Sequence, residues 1–188
     1  MRKEDRRRIV MGDGYTGVIW HGRGGQGAFT AARLLGASYV SAGGGRRALA
    51  FPAFGPERRG APIRAFTKMS ETAVSNRSEM TSADFTVYLD STLFRGIDDR
   101  CTGTVLVNTA DEYGDPRIIS FDASALAASI LGSPMSNTAM VGVLAAIWSG
   151  GISIESVRKG IEDTLPEHLR KDNIKVAEKA FRAAGCRH

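Results

Sequence analysis

At 188 residues, with 43% hydrophobic and 24% charged positions, the chain is long enough for one domain with a substantial core and is ordinary in composition for a globular protein. Its formal net charge of +5 is concentrated at the start, where five basic residues (Arg2, Lys3, Arg6, Arg7, Arg8) stand against Glu4 and Asp5, which leaves about +2 for the body and implies no nucleic-acid partner. The longest apolar run, Ala139–Trp148, is too short to cross a bilayer, no apolar segment follows the basic arm as in a secretory signal, and Cys101 and Cys186 form no CxxC pair, so a cytoplasmic protein without a membrane partner, metal site or cluster of its own is expected.

Residues 1–14 read as the basic arm, and 15–188 as a single domain, since no repeat or low-complexity linker divides them. Gly12-Asp13-Gly14 is a turn ahead of the first strand. Tyr15–Trp20 is short, β-branched and aromatic, as a buried strand requires. His21-Gly22-Arg23-Gly24-Gly25-Gln26-Gly27-Ala28 then turns sharply into a helix, whose Ala28, Ala31, Ala32 and Leu35 fall at i, i+3, i+4 and i+7. Glycines at 22, 24 and 27 allow positive φ and close approach of a ligand to the backbone. The unpaired amides opening the helix, at its positive dipole end, suit an anion. From Gly14 to Pro56 there is no Asp or Glu, whereas His21, Arg23, Arg33, Arg46 and Arg47 lie within that span and Arg58, Arg59 and Arg64 follow. A phosphate-rich ligand needs such surroundings. An NAD site would want an acidic residue about 20 positions beyond the glycines; Arg46 and Arg47 suit instead a ribose phosphate, as in NADP or coenzyme A. A plain strand-to-helix connection with no ligand is the simpler alternative.

Ser41–Gly45 ends the first helix, and Arg47–Phe54 is a strand that Pro52 assigns to an edge or a bend. In Phe54–Pro62, two prolines and two glycines bracket Arg58-Arg59 on a stiffened loop. Ile63–Met69 pairs back on the preceding strand, which inserts a hairpin and makes the sheet mixed. Phe85–Leu89, Val105–Val107 and Arg117–Phe121 are the remaining strands. Ligands of open α/β sheets bind beyond the carboxyl ends of parallel strands, so Gly22–Gly27, Asp90-Ser91 and Asn108-Thr109 should line one edge, with Asp90-Ser91 assigned chiefly to helix capping. Asp122 caps a helix over Ala123–Leu131 that Gly132 closes; Ser136 caps a buried helix over Asn137–Ser149. Asn137 and Thr138 sit at the positive end of that helix, as first-turn caps or as anion or partner contacts at the same crevice. Ser153 opens a third helix, and Thr164-x-x-Glu167 with Pro166 is a capping box for the last. The fold class is therefore α/β, a Rossmann-like three-layer domain with a mixed, mostly parallel sheet and an inserted hairpin.

The glycine turn with Thr30-Ala31-Ala32, then Phe51-Pro52, Phe54-Gly55-Pro56-Glu57-Arg58-Arg59-Gly60-Ala61-Pro62 and Arg64-Ala65-Phe66, resembles the gamma subunit of 2-oxoacid:ferredoxin oxidoreductases. Asp84–Leu89, Val107-Asn108-Thr109, Asp122-Ala123 and Asn137-Thr138-Ala139-Met140 extend the resemblance to nearly everything from Gly17 to the final helix. The Pro-Glu-Arg-Arg-Gly-Ala-Pro loop is similar to the pyruvate and branched-chain types. The resemblance implies a share in oxidising a 2-oxoacid, with coenzyme A and ferredoxin, to acyl-CoA and carbon dioxide. It places thiamine diphosphate, magnesium and iron–sulfur clusters on alpha, beta and delta partners, and the coenzyme A side of the site here. By position, Arg23, Gly24, Gly25, Gln26 and Gly27 would hold phosphate, Arg58 and Arg59 would face an anionic substrate or a neighbouring subunit, and Asn137 and Thr138 would complete the crevice; no side chain is assigned to catalysis. Asp90-Ser91-Thr92 stands where many relatives have Gln-Asp-Pro-Thr, so no ligand contact is assigned to it. The expected role is positioning the coenzyme A thiol toward an acyl intermediate carried elsewhere. A self-sufficient NADP-dependent reductase and a purely structural subunit are the rivals, and a homodimer of the isolated chain is left open.

Overall fold

The computed structural model describes residues 14–53, 59–97, 101–148 and 151–186; most of the basic arm, Arg58 and the loop around it lie outside the described residues. In chain order the elements are β1 Thr16–Arg23, α1 Ala28–Ser41, β2 Arg47–Pro52, β3 Pro62–Ser70, β4 Ala83–Tyr88, a 3-10 turn Ser91–Leu93, β5 Cys101–Asn108, β6 Ile118–Phe121, α2 Ala123–Leu131, α3 Asn137–Ile147, α4 Ile154–Thr164 and α5 Glu167–Gly185. The six strands form one sheet in the order β2-β3-β1-β4-β5-β6. β1, β4, β5 and β6 run parallel to their neighbours in that series, while β3 lies antiparallel to both β1 and β2. The hairpin expected after the first helix is thus present, and it wedges β3 between β1 and the edge strand β2. Pro52, which lacks an amide donor, ends that edge strand, where the missing bond costs least.

Side chains alternate across the strands and divide the core in two. Val18, Trp20, Ala65, Met69, Phe85, Val87 and Leu106 point to one face, where all five α-helices pack in a single cluster. Ile19, Phe51 and Phe66 on one side of the sheet, and Tyr88, Val105 and Val107 on the other, point to the opposite face. Met80 from the 71–82 segment and Leu93, Phe94 and Ile97 after β4 cover that second face. Apart from the 3-10 turn Ser91–Leu93, the third layer is therefore loop rather than helix among the described residues. Trp20 is fully buried, and its indole N–H donates to Thr67 Oγ1 at 3.0 Å; the Thr67 hydroxyl in turn donates a hydrogen bond to the Ala32 carbonyl. Burying an aromatic of that size contributes about 2–3 kcal/mol, and the relay leaves no orphaned donor to offset it.

The helix ends match the sequence where a side chain is free to turn back. Asp122 accepts from the Ala125 amide, Gly132 closes α2 at φ +69°, and Ser153 accepts from the Ser156 amide. Two expected caps are not formed. Ser136 makes no side-chain cap bond and is itself helical. Thr164 is the last residue of α4, so it cannot open α5; Leu165 and Pro166 are extended and the helix restarts at Glu167. Proline holds the residue before it out of the helical region, which separates the two helices at that point.

Candidate functional site at the head of the first helix

The carboxyl ends of β1, β4 and β5 meet at one edge of the sheet. Gly25 and Gly27 take positive φ, +97° and +78°, and let the chain fold from β1 into α1 within four residues. A Cβ at Gly27 would stand 2.5 Å from Asn137 Nδ2, so the glycine also lets the head of α3 lie against the head of α1. Gly27 carries no side chain to cap α1, so the amides opening that helix are left by the helical ladder. Asn137 is 6% exposed; its Oδ1 accepts from the Thr138 amide, while its Nδ2 has no hydrogen-bond partner among the described residues. Asn108 stitches the next strands to this edge: its Nδ2 donates to the Leu89 carbonyl and to Ser124 Oγ, and its Oδ1 accepts from the Ser124 amide. Ser124 lies in the first turn of α2. The heads of α1, α2 and α3 thus surround a cavity of about 240 Å³ lined by Gly25, Gln26, Leu89, Ser124 and Ser133–Ser136.

The sequence-expected residues divide on this geometry. Gly25 and Gln26 line the cavity, while Gly27 and Asn137 meet each other beside it without lining it. Thr138 is fully buried and donates to Asn173 Oδ1 at 2.8 Å, so its hydroxyl serves the packing of α3 on α5. Gly24 pairs by backbone with the segment after the undescribed loop: its amide donates to the Ala61 carbonyl, and its carbonyl accepts from the Gly60 amide. That pairing holds Arg59 beside the turn in an isolated parallel bridge with Gly24.

The positive charge that is continuous in sequence is dispersed in space. Arg46 donates to the Gly151 carbonyl at 2.6 Å and lies over the Tyr39 ring. With Arg47 it sits at the start of β2, past the far end of α1, which rises about 21 Å over its length. Neither can meet a ribose phosphate at the glycine turn, and the argument for an NADP reductase loses its residues. Burial pushes the Tyr39 hydroxyl above its ordinary value and outweighs the lowering by Arg46. Arg64 is paired with Glu79, Arg33 lies over Phe29, and His21 stacks on Tyr88.

Arg23 is not in a carboxylate-free setting either. Asp90 reaches it from the end of β4, with Arg23 Nε 2.9 Å from Asp90 Oδ2. Gln26 Nε2 donates to the same oxygen at 3.1 Å. Asp90 does cap its 3-10 turn, accepting from the Thr92 amide, as expected; its second role was invisible at a separation of 67 residues. The signal that could have found it is the adjacency of β1 and β4, which places one strand end against the other. Partial burial raises the Asp90 carboxyl, but the hydrogen bonds from Thr92, Gln26 and Arg23 together outweigh it and hold it below the ordinary carboxylate range.

A second cavity, of about 390 Å³, lies at the opposite edge beneath Thr72–Ser82. Lys68 and Glu79 are the charged residues that line it; Lys68 is 2% exposed and donates to the Asn76 and Ser78 carbonyls. That lysine anchors the segment covering the sheet. Among the described residues no three His, Cys, Asp or Glu side chains stand close enough to hold a metal ion.

Comparison with known proteins gives this geometry its context. Residues 17–183 match the family described as pyruvate ferredoxin/flavodoxin oxidoreductase. The pyruvate synthase subunit PorC of Methanocaldococcus jannaschii is 39% identical over 171 residues, covering 87% of this chain and 94% of that protein. The pyruvate/ketoisovalerate oxidoreductases common subunit gamma of Pyrococcus abyssi is 37% identical over 178 residues, with the same two coverages. Among solved structures, pyruvate oxidoreductase subunit PORC of Thermotoga maritima superposes with a TM-score of 0.73 at 30% identity, covering 89% of this chain and 96% of that one.

Proposed function

The chain belongs to the pyruvate ferredoxin/flavodoxin oxidoreductase family, as its gamma-type subunit, and on that premise we propose that it holds coenzyme A for an oxidative decarboxylation carried out with alpha, beta and delta subunits. The observation that carries this reading is the meeting of the α1 and α3 heads, where Gly27, which has no side chain to cap α1, lies against Asn137 Nδ2 beside the cavity lined by Gly25, Gln26 and Ser133–Ser136. Two positive helix ends and a buried amide donor suit the pyrophosphate or ribose phosphate of coenzyme A. Gly24, Gly25, Gln26 and Gly27 frame that anion site, Asn137 donates into it, and Arg59 stands beside it. Arg23 belongs to the framework, and Thr138 supports the seat of Asn137. The work assigned to this chain is positioning, so that the thiol is presented to an acyl group held on a partner. Thiamine diphosphate, magnesium and iron–sulfur clusters are assigned to those partners, with pyruvate the 2-oxoacid and ferredoxin reached through them.

Ser133 is exposed on the cavity wall and tests the reading without disturbing the core. In the assembled oxidoreductase, Ser133→Glu should raise KM for coenzyme A about tenfold, the equivalent of one like-charge repulsion of about 1.4 kcal/mol, and leave KM for the 2-oxoacid in place. An unchanged KM for coenzyme A would remove the cavity from the binding site.

A further inference from the structure

Arg23 is the basic residue inside the glycine turn, yet each of its three guanidinium nitrogens donates to a group within the protein. Nε donates to Asp90 Oδ2 at 2.9 Å, one terminal nitrogen to the Gly60 carbonyl at 3.2 Å and the other to Thr92 Oγ1 at 2.9 Å. Asp90 Oδ2 also accepts from Gln26 Nε2, while its Oδ1 accepts from the Thr92 amide at 2.9 Å and the Thr92 hydroxyl at 2.6 Å. Gln26 closes the ring by accepting the Arg23 amide on Oε1 at 2.7 Å. The carboxylate is 14% exposed and saturated; the arginine beside it is 36% exposed.

The ring joins four pieces of chain: the end of β1, the glycine turn, the 3-10 turn after β4 and the segment 59–61. The last is held twice more by backbone, through the amide of Gly24 to Ala61 and the amide of Gly60 to Gly24. Arg59 is exposed, and its guanidinium has no hydrogen-bond or ion-pair partner among the described residues. Arg23 is thus neutralised by an internal carboxylate, while Arg59, held next to the turn, meets no carboxylate among the described residues.

We infer that Asp90 is a positioning residue: by engaging Arg23 and Gln26 as struts it fixes residues 59–61 against Gly24, and so presents Arg59 rather than Arg23 as the cation that meets the anionic substrate. The identity of that anion as coenzyme A rests on the function proposed above; the strut itself does not. An ionised Asp90 also explains how an arginine can stand at the head of α1 without adding to the positive end of the helix, because the pair is close to neutral as a unit. Recognition of the anion then falls to backbone amides and to Arg59. A bidentate arginine suits either a carboxylate or a phosphate.

The test uses the assembled oxidoreductase with Asp90→Asn, Arg59→Ala and the double variant. Hydrogen exchange of the segment 59–62 should accelerate about tenfold or more in Asp90→Asn, with α5 unchanged as the control for folding. KM for coenzyme A should rise in each single variant by more than kcat falls, and the double variant should be no worse than Arg59→Ala alone, because both act through one group. Asp90→Glu, which keeps the charge, should recover most of the protection. Unchanged exchange at 59–62, independent multiplication of the two KM effects, or no KM effect of Arg59→Ala on either substrate would each overturn the assignment. If exchange accelerates and the coupling is read in KM for the 2-oxoacid instead, the strut stands and the coenzyme A reading fails.

Discussion

Asp84, at the start of β4, is 6% exposed and holds the Gly17 amide on Oδ2 at 2.8 Å, while its Oδ1 is buried with no partner. Burial raises its carboxyl above the ordinary range, and the bond from Gly17 only partly opposes this. A carboxyl with a raised folded pKa stabilises the fold fully below its unfolded pKa and loses that contribution as pH rises through the folded value. Asp84→Asn removes the titration and keeps an oxygen for Gly17. The stability of the variant relative to the parent, from urea unfolding, should therefore grow as pH goes from about 4 to about 7; a flat difference would mean that the carboxyl is ionised in a compensated site. Arg23 and Asp90 show the opposite case at the other edge of the sheet, a carboxylate saturated with donors and held ionised. The glycine turn was legible in part: of the glycines at 22, 24 and 27 expected to allow positive φ only Gly27 takes it, and Gly25, which was not singled out, takes it as well. The partner of Arg23 was not, because no local spacing encodes a contact between the ends of two strands.

The helices pack through glycines rather than through large ridges. A Cβ at Gly160 of α4 would stand 2.2 Å from Ser38 Oγ and 2.9 Å from the Leu34 carbonyl of α1. At Gly142 of α3 it would stand 2.4 Å from the Ala177 carbonyl of α5. Backbone on the facing helix cannot turn aside as a flexible side chain can, so the pair must separate. Gly160→Ala should destabilise the chain by about 1–3 kcal/mol, against the slight gain that alanine brings to an open helix, and thermal unfolding would detect it. A variant as stable as the parent would show that α1 and α4 tolerate a wider crossing. The elements themselves were readable from periodicity: every expected strand and helix is present, with boundaries that shift at β1, β4 and β5. The caps at Asp122 and Ser153 were equally local. Thr164 failed as a cap because it is itself the last residue of α4, and Ser136 because its own backbone is helical.

Across the whole molecule, the parallel strands bring the glycine turn, Asp90 and Asn108 to one edge, and the C-terminal helices return α3 to the same edge. No helix of the described residues is long and apolar enough to cross a membrane. The single-domain span 15–188 and the basic arm stay as proposals. Membership in the oxidoreductase family, with the chain's chemistry limited to positioning, predicts that the purified chain alone reduces no electron acceptor when given pyruvate and coenzyme A. Adding the partner subunits should restore the activity; turnover without them would contradict the division of labour. The amino-acid sequence by itself determined the order of elements, the mixed sheet with its hairpin, and the family, because periodicity, turn glycines and motif blocks are properties of neighbouring residues. Tertiary structure alone decided which charges act. It carried Arg46 and Arg47 to the far end of α1, set Asp90 against Arg23 and laid Asn137 on Gly27. Electrostatic interaction depends on distance through space, and strand order, not position along the chain, sets that distance.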